Sequence, residues 1–105
     1  INVTSTPMIT RLVKMTFVPN KVEEFKSIFE QYKKAIRNSE GCQHLELLEG
    51  INEAENVLFT FSRWNKEEDL NNYRHSETFK EVWPKTKALF VEKAQAWSTI
   101  AMEVE

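Results

Sequence analysis

A single cysteine, Cys42, excludes an internal disulfide and fits a reducing compartment. Only two glycines are present, so neither a glycine-rich phosphate loop nor a dinucleotide fingerprint can be assembled. No apolar run approaches the roughly 18 residues that a membrane-crossing helix needs. The first residues also lack the basic start, apolar stretch and small-residue cleavage site of a signal peptide, and a cytoplasmic location is the expectation. Charge of one sign is scarce too: the formal net charge is −2, with acids and bases interspersed. Nucleic-acid binding calls for a basic stripe, which is missing, so neither nucleic acid nor membrane is an expected partner. Two histidines, one cysteine and scattered acids show no ligand spacing such as H-x-x-x-H. No metal site and no cofactor is expected.

What is present suits one small soluble-type domain. The chain has 105 residues, 41% of them apolar and 29% charged. That length allows one thin core. Residues 1–7 (INVTSTP) are small and polar. They read as a tag remnant ahead of a native Met8, or as a native terminal extension, with the domain spanning 8–105.

Met8 to Phe17 alternates as a strand, placing Ile9, Val13, Met15 and Phe17 on one face with Arg11 among them, and Leu12 opposite. Pro19-Asn20 punctuates, and Asn20 with Glu23 makes an N-cap and N3 pair. Val22, Phe25, Ile28, Phe29, Tyr32 and Ile36 then form a helical stripe that ends at Asn38 to Gly41. Gln43 to Leu48 is a second strand, with His44, Glu46 and Leu48 on one face. Gly50 to Glu55 is a polar hairpin connection. Val57 to Trp64 is the third strand, grouping Val57, Phe59 and Phe61. Asn65 and Glu68 start a short helix that buries Leu70 and Tyr73. Ser76 opens another helical stretch carrying Phe79, Val82, Trp83, Thr86, Leu89 and Phe90, with a kink or break expected at Pro84. Trp97 to Glu105 closes the domain as a strand with Ile100, Met102 and Val104 together.

This order, β-α-β-β-α-α-β, is an α+β fold: a ferredoxin-like antiparallel sheet with helices on one face. Leu12, Leu45, Leu47 and Leu58 are assigned to the uncovered face, which implies a partner. Two copies packing sheet to sheet would form a homodimeric α+β barrel.

The run Glu40-Gly41-Cys42-Gln43-His44-Leu45-Glu46-Leu47 resembles the E-G-C-x-x-x-x-L entry to the second strand of the antibiotic biosynthesis monooxygenase family. Phe61-Ser62-Arg63-Trp64 resembles its strand ending in Trp. Leu70, Tyr73, Ser76 and Phe79 follow at the spacing of its helix signature. The resemblance covers nearly all of Met8 to Val104. It implies a dimeric α+β barrel with a pocket between sheet and helices. Haem-degrading members carry an Asn, a Trp and a ligating His where this chain has Val13, Tyr73 and Trp83, so haem degradation is disfavoured. Members that oxidise quinols without a cofactor use tryptophan, tyrosine and polar residues around an apolar cavity.

Against that background Trp64, Tyr73, Trp83 and Phe79 read as an aromatic pocket wall suited to a small apolar or aromatic molecule, with Val13 beside them; plain core packing is the alternative. Tyr73 and His75 are the candidate catalytic residues, the first to orient an oxygen atom and the second as a base. His44, its ring oriented by Glu46, is a further candidate for the pocket, and either histidine could equally be a solvated side chain. Arg11 could hold an anionic group or pair with Glu46 or another acid on a neighbouring strand, and the pair is preferred. Cys42 reads as a small buried filler. The expected function is cofactor-independent oxidation of a small aromatic or quinol-like compound. The alternatives are a non-catalytic ligand-binding or stress-response dimer, and an enzyme isomerising or degrading a small signalling metabolite.

Overall fold

The computed structural model describes residues 7–52 and 56–105. Its elements are β1 (Ile9–Phe17), α1 (Val22–Arg37), β2 (Cys42–Glu49), β3 (Val57–Trp64), α2 (Glu67–Arg74), α3 (Glu77–Lys87) and β4 (Phe90–Thr99). All four strands join one antiparallel sheet in the order β2-β3-β1-β4, the ferredoxin-like topology expected. Residues 1–6 of the terminal extension and 53–55 of the β2–β3 connection lie outside the described residues.

Alternation along β1 turns Ile9, Arg11, Val13, Met15 and Phe17 toward the helices, and Thr10, Leu12, Lys14 and Thr16 away from them. Met15 and Phe17 pack with Val22, Phe25, Leu58 and Leu89 into one buried cluster at one end of the sheet. Phe17 stacks on Phe25 with ring centroids 4.6 Å apart. A second cluster, Cys42, Trp64 and Leu70, fills the other end. Between the two, the inward positions are small: Thr60 and Ser62 on β3, Ala94, Ala96 and Ser98 on β4. The middle of the sheet therefore leaves a space that neither cluster fills.

Both expected side-chain caps are replaced. A 3-10 turn, Pro19–Lys21, leads into α1, and Lys21 rather than Asn20 takes the N-cap position. Proline suits that turn because its φ is already helical. Lys66, not Asn65, takes the N-cap position of α2, without a side-chain cap, and the Asn65 N–H donates instead to the Gly41 carbonyl at 2.7 Å. Ser76 does cap α3: its Oγ accepts from the Phe79 N–H at 3.2 Å. That helix is not broken at Pro84 but continues to Lys87. Leu89 and Phe90, assigned above to its stripe, follow it, and Phe90 opens β4.

The last strand lies earlier than expected. It spans Phe90–Thr99, and Ile100, Met102 and Val104 are exposed beyond it. Pairing stops because Thr99 meets Thr10 next to the start of β1, where the neighbouring strand runs out. The composition of the uncovered sheet face also needs correction. Leu45, Leu47 and Leu58 share the helix-facing side with Val13 and Met15, since Leu47 pairs with Thr60 and Leu58 with Met15. Leu12, Leu48, Val57, Phe59, Phe61 and Trp97 occupy the other side by the same alternation. No helix among the described residues covers them.

Gly41 joins α1 to β2 with φ at 83°, in the left-handed region that disfavours side chains. A Cβ at this position would also run into the Asp69 side chain of α2. Gly41→Ala is expected to destabilise the fold by about 2–4 kcal/mol, combining backbone strain with overpacking. Urea denaturation of the two proteins measures it.

Candidate functional site

The space above the middle of the sheet is a cavity of about 270 Å³. Its floor is Val13 and Thr60, with Ala94 and Ala96 to one side, and Arg11 and Ser62 further along β1 and β3. Helical residues roof it, among them Tyr73, Phe79, Val82, Trp83 and Thr86. Thr86 is satisfied by its own helix, its Oγ1 donating to the Val82 carbonyl at 2.9 Å. The walls are mostly apolar, which is the composition of small-molecule sites.

Aromatic rings run continuously along one wall. Trp64 and Tyr73 stack with centroids 5.2 Å apart and planes 27° from parallel. Tyr73 meets Phe79 edge-on at 5.3 Å, and Phe79 stacks on Trp83 at 5.6 Å. Trp83 then meets the edge of Phe90 at 5.7 Å. Such offset and edge contacts hold each ring in a fixed orientation. The Trp64 indole N–H is spent on Ser62 Oγ at 3.0 Å, so Trp64 offers the cavity a face and not a donor.

Ser76 sets the position of Tyr73. Its Oγ donates to the Tyr73 carbonyl at 2.6 Å while capping α3, which locks the turn between the two helices. The Tyr73 hydroxyl makes no hydrogen bond to another described residue. Burial, and then the neighbouring Cys42, push its ionisation above the ordinary phenol value. At neutral pH it is therefore a proton-bearing donor and not a base. A raised phenol value leaves stability intact below about pH 10, the ordinary phenol value, and removes it as pH rises further through the folded value. Burial also raises the Cys42 thiol, which adds an alkaline loss of the same sign. In Tyr73→Phe the alkaline loss should be shallower, as read from urea midpoints across that range.

Arg11 enters the cavity from β1. Its Nη1 donates to Ser98 Oγ at 2.9 Å. The expected pairing with Glu46 does not occur, because Glu46 lies on the opposite face of the sheet. Burial, and then the charge of Arg74, pull the Arg11 guanidinium below its usual value. Arg74, on the last turn of α2, lines the same cavity.

Both histidines lie elsewhere. His44 sits on the uncovered sheet face, where Nε2 meets Glu46 Oε1 at 2.9 Å and the ring meets Phe61 edge-on. The Glu46 partnership is as expected, but the expected place in the pocket is not found, because the register of β2 on β3 puts His44 with Glu46 on the side away from the helices. His75 is exposed in the turn after α2, with Nδ1 against the Asn71 carbonyl at 2.8 Å. It does not line the cavity. Among the described residues no three His, Cys, Asp or Glu side chains gather as a metal site. No helix among them is long and apolar enough to cross a membrane.

Of the residues singled out from sequence, Trp64, Tyr73, Trp83, Phe79, Val13 and Arg11 meet around one cavity. Arg74 and the small floor residues Thr60, Ala94 and Ala96 were not singled out. The parity of β3 ties Thr60 to Leu58 and Ser62, and it is the pairing of Leu58 with Met15 that turns this set inward.

Residues 8–84 match the sequence model of the antibiotic biosynthesis monooxygenase family. No curated protein sequence matches the chain. Among solved structures, a conserved protein from Methanosarcina mazei Go1 superposes with a TM-score of 0.85 at 21% identity, covering 90% of this chain and 92% of the other. The Rv0793 protein of Mycobacterium tuberculosis gives 0.82 at 13% identity over 92% and 97%. SnoaB, a cofactor-independent oxygenase from Streptomyces nogalater solved as a mutant, gives 0.80 at 16% identity over 94% and 97%. At these identities the likeness is one of fold.

Proposed function

The chain belongs to the antibiotic biosynthesis monooxygenase family, and from that premise we propose that it is a cofactor-independent oxygenase of a small aromatic or quinol-like compound. The observation carrying this reading is Tyr73, proton-bearing and with a hydroxyl unpartnered by the described residues, lining a cavity walled by Trp64, Phe79 and Trp83. A flat substrate would lie against those rings, and Tyr73 would donate to one of its oxygen atoms. Arg11 would favour the ionised form of a substrate hydroxyl, since a nearby cation lowers an acid's pKa. With the hydroxyl proton released to solvent, that anion would pass one electron to dioxygen, and the resulting radical and superoxide would join, take up a proton and lose water to leave the quinone. The test is oxygen uptake over a panel of quinols after metal and flavin have been stripped. Uptake above the buffer rate is expected with at least one quinol, and uptake at the buffer rate throughout would sink the proposal.

The position of both histidines favours a second reading, a non-catalytic ligand-binding or stress-response dimer on the same scaffold. It predicts tight binding of an aromatic ligand without oxygen uptake. An enzyme isomerising a small metabolite would need a histidine in the cavity, and neither is there. Haem degradation remains disfavoured, with Val13, Tyr73 and Trp83 at its three positions.

A homodimer is part of the proposal. Leu12 faces Phe61 on one neighbouring strand and Trp97 on the other, and Leu48 pairs with Phe59. Trp97 is 46% exposed in the single chain. An apolar sheet face of this kind is what a second copy would cover.

A further inference from the structure

Two guanidiniums, Arg11 and Arg74, line the cavity, and among the described residues no carboxylate does. Acids on the neighbouring elements are engaged elsewhere: Glu46 with His44 on the other face of the sheet, Glu77 with Lys80, and Asp69 against Gly41 at the start of β2. Arg11 has five N–H donors, and its contact with Ser98 uses one and brings no charge. Arg11 is partly desolvated and also feels the charge of the more exposed Arg74, so a ligand of opposite charge between them is favoured. Ionising one substrate hydroxyl supplies a single negative charge. The lining offers two positive ones.

From this count we infer that the natural ligand is an aromatic acid: a flat apolar body that carries an oxyanion substituent in addition to its oxidisable hydroxyl. Guanidinium forks fit carboxylate and phosphate oxygens alike, so the shared chemistry is an oxyanion on an aromatic body. Arg74 on α2 and Arg11 on β1 approach the cavity from the helical and sheet layers. They can hold the two ends of an acid while the aromatic wall takes its face. The inference rests on the proposal that the cavity is the ligand site, but it needs no turnover to be tested.

Calorimetric titration with 2-naphthoate, 2-naphthyl phosphate and the neutral 2-naphthamide provides the test. At least one of the two acids should bind about tenfold or more tightly than the amide, as charge-assisted hydrogen bonds are worth that much. The tighter of the two identifies the oxyanion. In Arg74→Gln the acid-to-amide ratio should fall by about fivefold or more, and Arg74→Lys should retain part of it. Equal binding of acid and amide, or an undiminished ratio in Arg74→Gln, would overturn the aromatic-acid inference and leave the oxygenase proposal standing. No binding of any of the three would take away the cavity as a ligand site and both proposals with it.

Discussion

Replacing Thr60 with Phe is expected to abolish ligand binding while preserving the fold. Thr60 stands on the central strand β3, between Val13 on one side and Leu47 on the other, at the floor of the cavity. A phenyl ring grown from that position would occupy the space instead of colliding with packed core. Overpacking usually costs about 1–3 kcal/mol, but here an existing void of about 270 Å³ receives the added atoms. Urea stability should therefore stay within about 1 kcal/mol of the parent or rise. Aromatic ligands should bind about 100-fold more weakly, or not at all, because the ring competes for their volume. Unchanged ligand affinity in a folded Thr60→Phe protein would place the binding site elsewhere.

The uncovered sheet face carries the second large effect. Phe61 lies between Leu12 and Glu46 on its two neighbouring strands. Glutamate at this position would force a charge into any interface built on that face, next to an existing carboxylate. Burying such a charge unpaired costs several kcal/mol. The dimer dissociation constant should rise by about 100-fold or more. In sedimentation equilibrium the parent should weigh twice its 12.4 kDa chain, and Phe61→Glu should weigh one chain. A parent that is monomeric at micromolar concentration contradicts the homodimer.

Much of this arrangement was legible in the residues because simple alternation governs it. The inward face of β1, with Arg11 among apolar neighbours, follows from period two alone. So does the grouping of Val57, Phe59 and Phe61, although assigning Leu58 to the uncovered face puts that group on the wrong side. The helical stripe from Val22 to Ile36 and the Ser76 start of α3 follow from 3.6-residue periodicity and capping chemistry. The error in β4 has a physical cause tied to the site. Its inward residues Ala94, Ala96 and Ser98 are small, where they border the cavity, so the strand shows no apolar alternation. The stronger alternation of Ile100, Met102 and Val104 falls beyond the end of its pairing with β1. Pairing partners were less legible than faces. Arg11 and Glu46 lie on strands of one sheet but on opposite sides of it, and only the register across β3 decides that. The same register decides where His44 points.

Chemistry centred on Tyr73, with the histidines as bystanders, is most directly tested by one kinetic comparison. For the best quinol of the panel, kcat/KM for oxygen uptake is measured in Tyr73→Phe and in a His44→Ala/His75→Ala double variant. Loss of a hydrogen bond to a reacting oxygen should lower Tyr73→Phe by about tenfold or more. The double histidine variant should remain within about twofold of the parent, since neither ring reaches the cavity. Full activity in Tyr73→Phe together with a collapsed double histidine variant would contradict it.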